Sequence, residues 1–208
     1  MAKLPNPRLP LPVLNSHDLF TLNEGTTIWR VYRTAGSHPA NWSTFRQYGP
    51  VGTGRFDHHE PPAHHDPVRG ILYGALDAPA AIVEAFQDGR LIDRFHDAPW
   101  LVCFALELDA PTLDLRGAWS TRAGASQAIA SGPRGRAQAW SREIYAAYAS
   151  VVGLTYPSAM AGTSTNVTLY ERVAASMPAH PRLHIPLSHP GLESALNRIA
   201  ERFGYGMR

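Results

Sequence analysis

The hydrophobic positions along the chain follow two different periods. Three runs have the β-branched and aromatic content of strands: "TTIWRVY" from Thr26, "GILYGA" from Gly70 and "WLVCFALEL" from Trp100. Other runs follow the three-and-four spacing of a helix. Asp77 to Gly89 predicts a helix with Asp77 as N-cap, Pro79 in the first turn and Gly89 as the stop, which places Ile82, Val83 and Phe86 on one face. "RAQAWSREIYAAYASVVG" predicts a second helix ending at Gly153, followed by a short strand "LTYPS", a loop "AMAGTSTNVT" and the run "LYERV". The tail "HPGLESALNRIAERFG" predicts an amphipathic helix between Pro190 and Gly204.

The stretches without a period complete the plan. Four prolines among the first twelve residues predict an extended N-terminal arm, residues 1–25, lying along a surface or a partner instead of folding by itself. Residues 26–208 then form a single domain, since 208 residues that are 44% hydrophobic suffice for one substantial core and are few for two. Within that domain, residues 34–69 form a long Gly-, Pro- and His-rich connection, and a loop of that length in a compact domain is functional or disordered.

Charge narrows the partners. The net charge is +2, and no Lys/Arg run with interleaved aromatics marks a nucleic-acid groove, so no direct nucleic-acid contact is expected. The lone cysteine, Cys103, reads as a buried strand thiol and fits a reducing, cytoplasmic setting. Prolines interrupt the apolar stretch near the N-terminus, so no signal peptide is expected, and no window offers the roughly 18 apolar residues of a membrane helix.

Three polar residues stand out against this background. Glu84 interrupts the apolar run "APAAIVEAF" with alanines one turn away, which leaves room for a ligand to approach it. Arg30 sits in an aromatic strand, where a permanent cation withdrawn from water needs partners. Ser158 ends the strand in "TYPSA". Arg55, after the glycine turn in "GTGRF", joins Arg30 as a cation suited to phosphate. Each also has an ordinary reading: Arg30 paired with a structural acid, Glu84 solvated, Ser158 capping a turn. "DHHEPPAHHDP" gathers His58, His59, His64 and His65 beside Asp57, Glu60 and Asp66, but Pro-Pro separates the histidine pairs and the spacing is not that of a zinc site, so a solvated, pH-sensitive loop and no metal are expected. "GPVGTG" lacks the Lys-Ser/Thr of a triphosphate loop.

Taken in order, "WRVYR", "GTGRF", "LYGALDAPAAIVEAF", "LDLRG", "GLTYPSA" and "TNVTLYE" resemble the RES-domain family, named for its Arg, Glu and Ser, from about Trp29 to Tyr170. The resemblance implies an α+β fold similar to that of ADP-ribosyltransferases, with a mixed β core and flanking helices. It implies NAD as substrate with no separate cofactor, and a toxin held by a cognate, Xre-like antitoxin, as a homo-oligomer or a toxin–antitoxin hetero-oligomer. Arg30, Glu84 and Ser158 match the family's Arg, Glu and Ser, and Arg55 and Tyr73 match further pocket residues. On that basis Glu84 is the catalytic carboxylate, a fixed negative charge beside the developing positive sugar, Arg30 and Arg55 hold the pyrophosphate, Tyr73 stacks on the nicotinamide or ribose side, and Ser158 fixes a ribose or carboxamide group. Hydrolysis and phosphorolysis of the nicotinamide–ribose bond both stay open. So do transfer of ADP-ribose to a protein or nucleotide acceptor, and a catalytically silent binding module.

Overall fold

A computed structural model describes residues 4–208 of the chain. In chain order its strands are β1 (Leu19–Leu22), β2 (Thr27–Arg33), β3 (Tyr48–Gly49), β4 (His64–His65), β5 (Ile71–Ala75), β6 (Leu91–Ile92), β7 (Pro99–Ala105), β8 (Ala110–Asp114), β9 (Gly153–Pro157), β10 (Thr165–Tyr170), β11 (Leu183–Pro186) and β12 (Gly206–Met207). Its helices are α1 (Ala78–Ala85), α2 (Trp119–Arg122), α3 (Arg134–Ala147) and α4 (Glu193–Phe203). Eight strands make one sheet in the order β1-β8-β9-β10-β5-β2-β7-β11, antiparallel throughout except for the parallel pair β8–β9. The architecture is therefore α+β, a mixed sheet flanked by helices.

Alternation along the strands sorts the core into faces. Ile28 and Tyr32 of β2, Val102 and Phe104 of β7, and Val167 and Leu169 of β10 form a cluster on one face. On the other face two clusters lie side by side. One gathers α2 and α3 around Trp119, Trp140 and Ile144 against Leu154 and Tyr156 of β9. The second gathers α1 and α4 around Ile82 and Leu196 against Leu101, with Trp29 and Val31 packed on it. The seam between these two clusters is where the functional residues meet.

Helix α1 begins as expected: the Asp77 carboxylate accepts from the Ala80 amide at 2.8 Å, and a proline occupies the first turn. It ends earlier than Gly89, at Ala85, with Phe86 as C-cap. Gly153 is a correction. It opens β9 instead of closing α3, which stops at Ala147. A Cβ at Gly153 would lie 2.2 Å from the Thr168 carbonyl oxygen, so this glycine serves close approach to β10 and has nothing to do with a helix cap. "NVT", expected in a loop, belongs to β10. β1 falls within the stretch expected as arm, and it is the edge strand paired with β8.

The remaining described residues of the arm, from Leu4, lie along the α3 side. Leu4 is buried, the Trp140 indole donates to the Pro5 carbonyl at 2.8 Å, and the Tyr148 hydroxyl donates to the Pro12 carbonyl at 2.6 Å. Cys103 is buried in β7, with its thiol pKa raised by burial. No helix among the described residues is long and apolar enough to cross a membrane.

Candidate active site

β2 and β5 pair at one register position, Trp29 opposite Ala75, and beyond it their ladder opens. Arg30 and Val31 form one lip of the gap, and Tyr73 and Gly74 form the other. Two residues separate β5 from α1, which lies across the opening. The result is a cavity of about 280 Å³ whose walls include Glu84, Arg30, Arg55, Tyr73, Tyr156 and Asn166. Thus Glu84, Arg30, Arg55 and Tyr73 meet in one place although the first and last of them are 54 positions apart in sequence. Ser158 stands just behind the wall.

Glu84 is held asymmetrically. Its Oε1 accepts from the Ser158 hydroxyl at 2.6 Å and from the Asn166 amide nitrogen at 2.8 Å. Its Oε2 has no hydrogen-bond partner among the described residues. Ser158 is buried and saturated, because its oxygen also accepts the Met160 and Ala161 amides at 3.1 and 2.9 Å. That hydroxyl therefore acts on Glu84 in this geometry. Register explains why these groups meet: Asn166 pairs with Tyr156 on one side and Ala75 on the other, so all three share the cavity face.

Two arginines line the cavity without acids of their own. Among the described residues neither Arg30 nor Arg55 has a carboxylate within 4.0 Å. Arg30 donates to the Trp42 carbonyl at 2.8 Å, and Arg55 to the Gly132 carbonyl at 2.6 Å. Burial, opposed by Tyr32 and reinforced by Arg46, pulls the Arg30 pKa down to about 10. Burial, with the Arg134 cation adding to it, lowers that of Arg55 as well, against the pull of Glu84. Both stay charged at neutral pH. Arg46 and Arg134 also line the wall but are paired with Asp57 and Asp88, so the cations left for a polyanionic ligand among the described lining residues are Arg30 and Arg55.

A buried network fixes the turn that carries Arg55. Asp57 is fully buried and accepts from the Arg46 guanidinium at 2.6 Å, the Tyr73 hydroxyl at 2.8 Å and the Val51 amide at 2.8 Å. Tyr73 in turn accepts the Phe56 amide at 2.9 Å, so its hydroxyl is occupied and its ring is what the cavity meets. Burial and the neighbouring Asp57 raise the Tyr73 pKa well above the usual phenol range. A Cβ at Gly54 would fall 2.1 Å from Asp57 Oδ1, which is why "GTGRF" carries a glycine there.

Sequence reasoning missed Asn166, Arg46 and the structural role of Asp57. An asparagine inside an otherwise β-branched and apolar run was the available signal, since a buried amide demands a partner. Arg46 gave none that separates it from other loop arginines.

The histidine-rich segment departs from expectation. His64 and His65 are exposed, but His58 and His59 are fully buried, so this part of the loop is core and not solvated. The His58 ring packs at a tilt, its centroid 4.3 Å from that of Tyr145 and 4.5 Å from that of Tyr170, and this aromatic cage replaces water. No nitrogen of either ring makes a well-aligned hydrogen bond; the nearest approach is His58 Nε2 to Glu171 Oε2, 3.3 Å. No group of three or more His, Cys, Asp or Glu residues among those described could hold a metal ion.

Burial lowers both imidazole pKa values below the ordinary 6.5, overriding Glu171 and Asp57, while Arg69 and Arg46 oppose protonation further. For Glu171, burial works upward, but His58, the Tyr145 hydroxyl and the Gly70 amide outweigh it and bring the pKa to about 2. The signs agree. The unfolded chain takes up protons on the histidines first as pH falls below 6.5, and on this carboxylate below 4.5, so stability is full above the first value and is lost on acidification. Melting temperature is expected to fall steadily from pH 7 to pH 5, and replacing His58 by Phe should flatten that slope. A melting temperature constant over this range would contradict the assignment of neutral, buried rings.

The family model described as RES domain matches residues 27–189. No curated protein matches. Among solved structures the chain is similar to one in the crystal structure of the M. tuberculosis MbcT–MbcA toxin–antitoxin complex, with a TM-score of 0.54 and 16% identity, over 86% of this chain and 92% of that one. That likeness is one of fold.

Proposed function

Because the chain belongs to the RES-domain family, whose model spans residues 27–189, we propose that it is the toxin of a toxin–antitoxin pair and cleaves the nicotinamide–ribose bond of NAD. The observation that carries this reading is Glu84: a carboxylate fixed through one oxygen and unpartnered at the other, in a cavity with two guanidiniums that have no acid partner. In NAD the nicotinamide is already cationic. Its bond to ribose C1 breaks with both electrons going to the ring nitrogen, so no proton donor is needed and the sugar passes through an oxocarbenium-like state. The Glu84 carboxylate stabilises that developing positive charge, and water or phosphate then adds to C1.

The other residues have distinct tasks in this proposal. Arg30 and Arg55 bind the pyrophosphate, Tyr73 offers its ring to the nicotinamide riboside half, and Ser158 and Asn166 are positioning residues that hold Glu84 Oε1. The MbcT structure was solved with an antitoxin, and an antitoxin partner for this chain accords with the shared fold.

Incubating the purified chain with NAD and separating the products by chromatography tests the reaction. Nicotinamide should appear, with ADP-ribose in phosphate-free buffer if water is the acceptor and a phosphorylated ADP-ribose in phosphate buffer if phosphate is. Folded chain that releases no nicotinamide in either buffer would overturn the proposal. Arg30→Ala and Arg55→Ala, each in a Glu84→Gln background so that NAD is not consumed, should weaken binding by about 2 kcal/mol, roughly thirtyfold. Titration calorimetry showing full affinity in both would remove the pyrophosphate role, provided melting shows both variants folded.

A further inference from the structure

A second cleft of about 470 Å³ adjoins the first, and the two share Arg30 and Val31 as a common wall. It is bounded by β2 from Arg30 to Arg33, by the loop through Ser37 and His38, and by the turn at His96 and Asp97. The cavity holding Glu84, at about 280 Å³, falls at the lower edge of the range for a single small-molecule ligand. A dinucleotide, with two nucleosides joined by a pyrophosphate, is larger than that. If the scissile bond lies at Glu84 and the pyrophosphate at Arg30, the remainder of the molecule continues past Arg30, and the neighbouring cleft is what lies there.

We propose that this second cleft binds the adenosine half of NAD, with the Asp97 carboxylate accepting hydrogen bonds from the ribose diol. This rests on the NAD-cleaving reading above. The two walls are stitched together by backbone: the Thr34 amide donates to the Ala98 carbonyl at 3.2 Å and the Ala35 amide to the Asp97 carbonyl at 3.1 Å. Asp97 and Ala98 are held in the left-handed region, at φ 60° and 46°, a conformation that costs free energy in non-glycine residues and clusters where ligands are clamped. The Asp97 carboxylate lies against Gly36, where a Cβ would come within 2.5 Å of it, and meets the His96 ring at 3.6 Å. It has no other ion pair among the described residues, and its side chain is 31% exposed. A carboxylate presented to a dinucleotide ribose is a general solution for reading its hydroxyls. The exposed imidazoles of His38 and His96 offer flat faces to the adenine, and Arg33, with no acid partner among the described residues, adds positive charge for the phosphates.

The test compares NAD with nicotinamide mononucleotide, which has the same scissile bond and no adenosine. Asp97→Asn is the chosen variant, because asparagine adopts the left-handed backbone readily and preserves volume. It should raise KM for NAD about tenfold with kcat little changed and leave mononucleotide cleavage as in the wild type. A variant that changes both substrates equally, or neither, overturns the proposal. AMP gives a readout independent of catalysis: it should bind the wild-type chain in calorimetry, and Asp97→Asn or His38→Ala should weaken it about tenfold. Failure of the wild-type chain to cleave either substrate would bring down the NAD reading alone, and AMP binding would then decide the second cleft; equal AMP affinity in the wild-type and variant chains, or none in the wild type, overturns it.

Discussion

Glu84→Gln is expected to leave the fold and NAD affinity close to wild type while lowering turnover by about a hundredfold to a thousandfold. The geometry makes this substitution clean. Both protein donors, Ser158 and Asn166, bind the same oxygen, Oε1, and a glutamine carbonyl can replace that oxygen in both bonds. The glutamine NH₂ then stands where Oε2 was, and the opposite orientation would set it against two donors. What is lost is the negative charge facing the sugar. In cells the same change should abolish the growth arrest expected on expression of the free chain. Wild-type turnover in the glutamine variant would remove Glu84 from the mechanism, and harmless expression of folded wild-type chain with NAD levels unchanged would favour a silent binding module.

The largest expected effect on stability lies one layer deeper, at Asp57. Asp57→Ala removes a fully buried carboxylate and leaves the Arg46 guanidinium, the Tyr73 hydroxyl and the Val51 amide without their common acceptor. Breaking a buried pair by removing one partner costs about 3–5 kcal/mol, and since the Arg46 side chain is one-third exposed the lower figure, about 3 kcal/mol, is expected here. Urea denaturation measures it directly. A loss below about 1 kcal/mol would show that the turn carrying Arg55 is organised by something else.

How much of this was legible in the sequence depends on the kind of residue. Glu84, Arg30 and Arg55 betrayed themselves because a charge in an apolar or aromatic run is costly unless it has a task, and their order along the chain matched a family. Helix α1 was readable from Asp77 because an N-cap acts locally. Asn166 was not, because the polar "GTST" before it reads as loop, and only the register of β10 between β9 and β5 brings its amide to Glu84. Gly153 misled for the same reason: a glycine after a helical run reads as a stop, whereas the demand on it comes from a carbonyl of β10. The burial of His58 was hidden because its cage, Tyr145 and Tyr170, lies far along the chain. Local chemistry was readable, and long-range contact was not.

The Pro-rich arm reaches the site without lining it. Leu4 packs within reach of Gly132, whose carbonyl anchors Arg55, and Pro5 is tied to Trp140 across 135 residues of sequence. The carbonyl that holds Arg55 is thus braced from outside the cavity, by residues that never touch a ligand. A substitution at Leu4 reaches Arg55 through Gly132 and leaves every cavity-lining side chain as it was. The arm is a remote handle on the pocket, and whatever pulls it off the α3 side loosens a cation at the site.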